Sequence, residues 1–263
     1  MSSPARERLR RTYAAYRWRP VGIDTACEGA IFDLDGPLRL RVKIAEDADI
    51  AYPDTAPTAE AEKLRWLAAQ GIPVPEVIDA GECEYENFLV TRLPDGVAAS
   101  TVAASTDTTK VADALADLAA TVHALDRAAC PFDRCLNVTM PRACAAAAMA
   151  ELDVDVLPAA RTPRGRTRLL VELMAFALSA GREEKAVCHG DLIPAHVLVD
   201  PDTHVVTGLA EAARLGVADR YTDLAALTRA LPRPLADRVL YRYGEIPCDA
   251  DRVRLYRDLR DFG

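Results

Sequence analysis

Two stretches of the sequence decide the fold: residues 188–196, CHGDLIPAH, and residues 208–221, GLAEAARLGVADRY. A short apolar run follows the first stretch and another leads into the second, and each predicts a strand. These strands are expected at residues 197–199 and 205–208. Both stretches carry side chains that can do chemistry, and three of them lie in or beside the loops next to these strands. They are Asp191, Glu211 and His196.

The rest of the chain predicts two regions of different structure. Before residue 94 the strands predicted are 30–34, 38–44, 77–80 and 88–90, and the helices are 4–16 and 56–70. Residues 93–96, LPDG, break this pattern and predict a hinge. Beyond the hinge the predicted helices are 110–125, 142–152, 167–180, 221–231, 235–243 and 249–261. The sequence therefore predicts an α+β fold with a small β-rich amino-terminal lobe and a larger helical carboxy-terminal lobe.

Composition excludes several classes of protein. The chain has 263 residues, a net charge of −8 and a pI of about 5.1, which argue against a nucleic-acid binder and are compatible with a cationic ligand. Its 7 cysteines are scattered and include no Cys-x-x-Cys pair, which is typical of reduced thiols in the cytoplasm. No run approaches the roughly 20 apolar residues of a membrane span. We therefore expect a cytoplasmic protein with neither a membrane nor a nucleic-acid partner.

The two stretches resemble the aminoglycoside 3′-phosphotransferases. That family has His-Gly-Asp, four residues and Asn, and later an Asp ahead of a Gly-Arg-x-Gly-x-Ala-Asp-Arg run. The resemblance extends over nearly the whole chain and implies a two-lobed protein-kinase-like fold. Residues 1–94 would form a nucleotide-binding lobe, and residues 95–263 a catalytic and substrate-binding lobe. The implied reaction moves a phosphoryl group from ATP or GTP, with Mg²⁺, to a 3′-type hydroxyl of an aminoglycoside or a related biosynthetic intermediate.

The resemblance also implies roles for individual residues. Phosphoryl transfer to a hydroxyl needs a carboxylate near that hydroxyl and cations on the phosphates. Asp191 matches the family's base, and Lys43 matches the lysine that reaches the α- and β-phosphates. Glu60, on the next predicted helix, matches the carboxylate that holds this lysine, and Glu62 competes with it by spacing.

Four positions depart from the family pattern on the nucleotide side. His196 stands where the family has Asn, and Glu211 stands where it has Asp, so the magnesium ligands differ from those of the family. Glu28 places a negative charge in the phosphate loop at residues 25–30, unless its side chain points to solvent. Pro94 falls where a backbone N–H would hold adenine, in one of two alignment registers. These departures favour an alternative function: a catalytically impaired pseudokinase that binds an aminoglycoside-like ligand or a protein partner.

The acceptor side has three candidate residues. Arg214 matches a family arginine near the phosphoryl acceptor, and an ion pair with Asp219 or Asp223 is the equally weighted structural alternative. Asp261 and the terminal carboxylate of Gly263 are the acidic groups expected to hold a cationic substrate. The sequence leaves open whether the protein is a monomer or a homodimer.

Overall fold

The computed structural model describes residues 3–24, 26–47, 50, 52–102, 108–149, 183–244 and 248–260, together with isolated positions between 162 and 178. The chain divides into two compact units. The first unit comprises Met1–Ala98 and His196–Arg214, and the second comprises Ala99–Ala195 and Leu215–Gly263.

Both units combine helices and strands. The helices described are α1 (Pro4–Thr12), α2 (Pro57–Ala69), α3 (Ala99–Val102), α4 (Thr108–His123), α5 (Leu136–Met149), α6 (Tyr221–Ala230), α7 (Arg233–Tyr243) and α8 (Ala250–Arg260). The strands are β1 (Arg17–Ile23), β2 (Ala30–Asp35), β3 (Leu40–Glu46), β4 (Glu76–Cys83), β5 (Glu86–Arg92), β6 (Val97–Ala98), β7 (Lys185–Cys188), β8 (Val197–Val199), β9 (Val206–Leu209) and β10 (Gly216–Asp219). No helix in the described part of the chain is both long and apolar enough to span a membrane.

The first unit is built on a five-stranded antiparallel sheet with the order β1-β2-β3-β5-β4. Its central strand, β3, is almost entirely buried. Helix α1 is capped at its amino terminus by Ser3, whose hydroxyl oxygen accepts a hydrogen bond from the amide of Arg6. The apolar face of α1 packs with residues of β2, β3 and β5 into one core, whose buried members are Ala5, Leu9, Phe32, Leu34, Leu40, Val42, Ile44, Phe88 and Val90.

A second, smaller sheet of the first unit has the order β6-β8-β9. It joins the segment after β5 to the segment that leads toward Glu211. The amide of Leu209, at the end of β9, donates to the carbonyl of Pro73. This sheet therefore fixes where the chain emerges from β9.

The second unit is mainly helical. Helix α4 packs on α7, and α6 packs on both α7 and α8. Exposed ion pairs, Arg238 with Asp113 and Arg242 with Asp117, join α7 to α4. Strands β7 and β10 form an antiparallel pair in which Cys188 lies opposite Gly216. This pair holds the start of the 188–196 stretch.

The structure corrects several predicted elements. Strands β1, β6, β7 and β10 were not predicted, because β1 is an exposed edge strand rich in Arg and Pro, and the others have only two to four residues. Helix α5 begins at Leu136, six residues before its predicted start, and includes Pro141. The predicted helix at 167–180 falls mostly outside the described residues. The functional division at residue 94 stays a prediction.

Two glycines with positive φ offer a matched test of the small sheet. Gly96 has a φ of +127°, and a Cβ there would lie 2.8 Å from the carbonyl oxygen of Val199. Gly244 has a φ of +92° with nothing within 4 Å of its Cβ position. We expect Gly244→Ala to lower the unfolding free energy by about 1–2 kcal/mol through backbone strain alone, and Gly96→Ala to lower it by clearly more. Urea denaturation measures both, and equal losses would contradict the close contact at Gly96.

Candidate functional site

Lys43 lies in β3 with its ammonium group surrounded by carboxylates of the first unit. Its Nζ is 2.5 Å from Oδ2 of Asp24, 2.8 Å from Oε2 of Glu60 and 3.2 Å from Oε2 of Glu211. The lysine side chain is only 4% exposed. Two of its N–H groups donate to Glu60 and Glu211, and Asp24 makes a close ion pair with the same nitrogen.

The environment of Lys43 shifts the pKa values of the ion pair. Burial alone lowers the pKa of Lys43, but the charges of Glu60, Glu211 and Asp24 outweigh burial and hold it well above 10.5. Burial raises the pKa of Glu60 above its ordinary value, against the lowering effect of Lys43. The stability that the lysine gains from these pairs is therefore present below its ordinary pKa and is lost only as the pH rises through the raised value.

Helix α2 connects this lysine to the segment after β9. Oε1 of Glu60 accepts a hydrogen bond of 3.0 Å from the amide of Ala212. One turn along, the buried Lys63 donates to the carbonyl of Ala213 at 2.6 Å. Of the two carboxylates considered from sequence, Glu60 contacts Lys43, whereas Glu62 is exposed. Helix α2 thus positions both the lysine and the segment that carries Glu211.

His196 and Glu211, the two departures at the family's metal positions, contact each other. Nδ1 of His196 is 3.2 Å from Oε1 of Glu211, and both side chains are half-buried. The carbonyl of His196 accepts from the amide of Ala210, which fixes the spacing between their two segments. Together they offer one imidazole nitrogen and one carboxylate, a mixed set of donors for a divalent cation.

The turn between β1 and β2 carries Asp24, which the sequence analysis missed. Oδ1 of Asp24 accepts from the amide of Ala26 at 2.7 Å, and its own amide donates to the carbonyl of Gly29 at 2.7 Å. Glu28 has a φ of +53° and is exposed, in agreement with the solvent-pointing alternative. A signal for this contact is present in the sequence, because an Asp at the start of a turn often accepts a hydrogen bond from the amide two residues later, forming an Asx turn.

Asp191 lies in the second unit, in a loop held by another buried carboxylate. Asp223 in α6 is fully buried, and its two oxygens accept from the amides of His189 and Gly190, each at 2.8 Å. Nε2 of His123 lies 3.1 Å from Oδ2 of Asp223. The backbone just before Asp191 is therefore fixed by one side chain from α6.

The pKa of Asp223 agrees with this bracing role. Burial raises it, but the hydrogen bond and charge of His123 and the contacts with His189 lower it below the ordinary 3.8. The charged form of Asp223 is therefore the form that the fold stabilises. His123 is positioned in turn by the hydroxyl of Tyr243, 2.7 Å from its Nδ1.

The remaining predicted residues lie as follows. Arg214 is half-buried at the end of the first unit. Its two alternative partners have contacts within the second unit, Asp219 with Arg252 at 2.6 Å and Asp223 with His123. Pro94 is half-buried, and its ring leaves no space for a Cβ on Gly208. The predicted substrate residues Asp261 and Gly263 lie outside the described part of the chain.

Comparison with known proteins places these features in context. Residues 31–261 match the phosphotransferase enzyme family. An aminoglycoside 3′-phosphotransferase of Streptomyces fradiae is 35% identical over 270 residues, covering 97% of this chain and 98% of that protein.

Two solved structures are similar over the same extent. The crystal structure of an aminoglycoside-3′-phosphotransferase of type VIII has a TM-score of 0.83 and 37% identity, covering 98% of both chains. The aminoglycoside phosphotransferase APH(3″)-Id from Streptomyces rimosus, in complex with ADP and streptomycin, has a TM-score of 0.80 and 27% identity. It covers 100% of this chain and 99% of that one. The predicted family resemblance and kinase-like α+β fold are confirmed.

The bracing of the Asp191 loop can be tested at Asp223. In Asp223→Asn one carboxylate oxygen becomes an amide that cannot accept a backbone N–H, and we expect the unfolding free energy to fall by about 1–3 kcal/mol. The matched control is Asp117→Asn, because Asp117 forms an exposed ion pair with Arg242 and should contribute far less. Chemical denaturation measures both variants.

The lowered pKa of Asp223 also predicts a pH dependence of the stability difference between the wild type and Asp223→Asn. Because the pKa of Asp223 is lowered from 3.8, its stabilisation is present above that value and is lost as the pH falls through the folded pKa. The stability difference between the wild type and Asp223→Asn should therefore narrow in acid. A difference that is constant down to the acid transition would contradict the assignment.

Proposed function

Because the chain belongs to the phosphotransferase enzyme family, we propose that it transfers a phosphoryl group from a nucleoside triphosphate to the 3′-hydroxyl of an aminoglycoside or a related biosynthetic intermediate. The similarity to aminoglycoside 3′-phosphotransferases extends over nearly the whole length of this chain and of its relatives, which confirms the predicted phosphotransferase function. They give no support to the pseudokinase alternative or to the expectation of impaired activity.

The relatives support the choice of substrates. The Streptomyces fradiae protein and the type VIII structure are named for the 3′ position of aminoglycosides, and the Streptomyces rimosus structure holds both ADP and streptomycin. The net charge of −8 suits a cationic acceptor. Arg214, Asp261 and Gly263 remain proposed contacts to that acceptor.

The observation that carries the proposal is the buried ion pair of Lys43 with Glu60. A lysine that is held in place by a carboxylate from the following helix presents a fixed positive charge, which is what the α- and β-phosphates of a nucleotide require. We propose that the turn of residues 24–29 and the hinge at Pro94 belong to the same nucleotide site. ATP and GTP remain equal candidates for the donor.

Asp191 is the proposed catalytic base. It lies directly after His189 and Gly190, whose amides are held by Asp223, so its backbone has a fixed position. A positioned carboxylate can orient the acceptor hydroxyl and take its proton as the phosphoryl group is transferred. The proton leaves the hydroxyl oxygen for a carboxylate oxygen of Asp191.

The donor set for Mg²⁺ fits in part. Magnesium prefers hard oxygen ligands, which the carboxylate of Glu211 supplies, whereas the imidazole of His196 is a ligand more typical of zinc or copper. We propose Glu211 as the main metal ligand and His196 as the group that orients its carboxylate, 3.2 Å away. The bound cation would neutralise charge on the phosphates of the nucleotide.

We also infer where the enzyme works and with what partners. The seven cysteines, all in the described part of the chain, form no disulfide, which suits the reducing cytoplasm, where nucleoside triphosphates are available. Its partners are small molecules, with no role for a nucleic acid or a membrane. It acts as a monomer or a homodimer.

The function is tested by measuring nucleoside diphosphate release with a matched pair of aminoglycosides that differ only in the 3′-hydroxyl. We expect phosphate transfer, detected by mass spectrometry of the drug, only to the member that carries this hydroxyl. Equal transfer to both would overturn the 3′ assignment. The absence of transfer to any aminoglycoside or biosynthetic intermediate of this class would overturn the proposed function.

The role of Asp191 gives a prediction for turnover. Positioned acid–base groups contribute roughly 10²–10⁴-fold, so Asp191→Asn should reduce kcat by that order while the melting temperature changes little. Asp202→Asn is the matched control, because Asp202 lies on an exposed turn. Wild-type turnover in Asp191→Asn would remove this residue from the mechanism.

The metal ligands give a second prediction. The double variant His196→Asn with Glu211→Asp restores the ligand types of the family, and we expect Mg²⁺-dependent nucleotide binding to tighten by about tenfold or more. Titration calorimetry with Mg²⁺, with Mn²⁺ and without metal separates the metal effect from the nucleotide effect. If binding in Mg²⁺ is unchanged, His196 and Glu211 do not limit the affinity for the metal.

A further inference from the structure

We propose that Asp24 is an internal competitor of the nucleotide. Its carboxylate occupies the contacts that a phosphate group makes in this site, so a triphosphate binds by displacing it from Lys43. This inference rests on the proposed function, because it names how the same nucleotide site is controlled.

Lys43 has a limited number of hydrogen-bond donors. Its ammonium has three N–H groups, and Asp24, Glu60 and Glu211 each lie within 3.2 Å of the nitrogen. A phosphate oxygen that takes one of these donors must replace one carboxylate. The structure therefore holds the phosphate-binding lysine in a fully engaged state.

Of the three carboxylates around Lys43, Asp24 is held least firmly. Glu60 is 2% exposed, and its second oxygen also accepts the amide of Ala212, so moving it would leave a buried donor without its acceptor. Glu211 is held on its other oxygen by His196. Asp24 is 4% exposed and also accepts an amide, that of Ala26, but this hydrogen bond is only partly buried and lies within the turn that carries Asp24. Its donor could therefore pass to water or to a phosphate oxygen when the turn rearranges.

Both oxygens of the Asp24 carboxylate make contacts that phosphate oxygens could make. One oxygen lies 2.5 Å from the lysine nitrogen, and the other accepts from the amide of Ala26 at 2.7 Å. Backbone amides of such turns are the groups that cradle phosphate oxygens. A single carboxylate thus engages a lysine and a turn amide, the two kinds of donor that a phosphate needs here.

The charge of Asp24 affects both the protein without nucleotide and the binding of a phosphate. In the absence of nucleotide, Asp24 supplies a counter-charge to a lysine that is buried in the first unit. An incoming phosphate would meet three carboxylates around one ammonium if Asp24 stayed and two if it left, so the departure of Asp24 removes one repelling charge. Asp24 therefore weakens the binding of every phosphate anion and stabilises the protein that has no nucleotide.

The test compares Asp24→Asn with the wild type. Asparagine retains an oxygen that can accept from the amide of Ala26, but it removes the negative charge of residue 24 beside Lys43. By titration calorimetry we expect Mg²⁺–ATP or Mg²⁺–GTP, whichever binds the wild type, to bind the variant at least about tenfold more tightly. Inorganic tripolyphosphate should gain affinity as well. The melting temperature without nucleotide should fall.

The variant should thus bind nucleotide more tightly while its melting temperature falls, a combination that a purely structural role of Asp24 would not produce. Asp33→Asn is the matched control, because Asp33 contacts Arg19 and Arg41 on the same sheet and should leave nucleotide affinity unchanged. If Asp24→Asn does not fold, Asp24→Ser makes the same comparison. Unchanged or weaker binding would overturn the proposal, and a loss specific to Mg²⁺ would instead make Asp24 a metal ligand.

The outcomes also separate this inference from the proposed function. If the wild type transfers phosphate to an aminoglycoside but the Asp24 variant binds nucleotide no more tightly, only the competitor role is overturned. If the variant binds more tightly but the wild type transfers no phosphate, only the proposed function is overturned. If neither protein binds a triphosphate, both are overturned.

Discussion

The constraint on which the first unit depends is the burial of one ammonium group in the middle of a sheet. A buried cation is tolerated only when carboxylates and hydrogen bonds replace its water. Lys43 meets this requirement with Glu60 from α2, Glu211 from the segment after β9, and Asp24 from the turn before β2. Three separate parts of the chain are thereby fixed to one atom.

The second unit also buries a charged group and satisfies it with hydrogen bonds, but this group is a carboxylate. The fully buried carboxylate of Asp223 is satisfied by two backbone amides and by His123. These contacts fix the loop that carries Asp191 rather than Asp191 itself. The two buried charges differ in what they are proposed to do. Lys43 would contact the phosphates itself, whereas Asp223 positions the backbone beside the proposed base.

Part of this arrangement is readable from the sequence. The strand that carries Lys43 and the helix that carries Glu60 have clear apolar patterns, so their existence and approximate bounds are predictable. The choice between Glu60 and Glu62 is not, because both fall on the first turns of α2 and only packing decides which one faces the lysine. Spacing alone had left both candidates open.

The contact of Asp24 with Lys43 depends on structure that sequence patterns do not record. These residues are joined through a turn whose closure depends on the hydrogen bond between Asp24 and Gly29. Strand β1, which leads into that turn, has an exposed pattern without apolar alternation and gives no signal. The bracing by Asp223 was missed for a related reason. Its partners are backbone amides, which every residue type except proline supplies, so no motif marks them.

We expect the lysine to exchange Asp24 for a phosphate when nucleotide binds. A crystal structure of the wild-type protein with Mg²⁺ and a non-hydrolysable triphosphate tests it most directly. We expect Nζ of Lys43 to keep Glu60 and to contact a phosphate oxygen at about 2.7–3.2 Å, with the carboxylate of Asp24 turned away. A complex in which Asp24 remains on Lys43 while the phosphates bind elsewhere would contradict the claim.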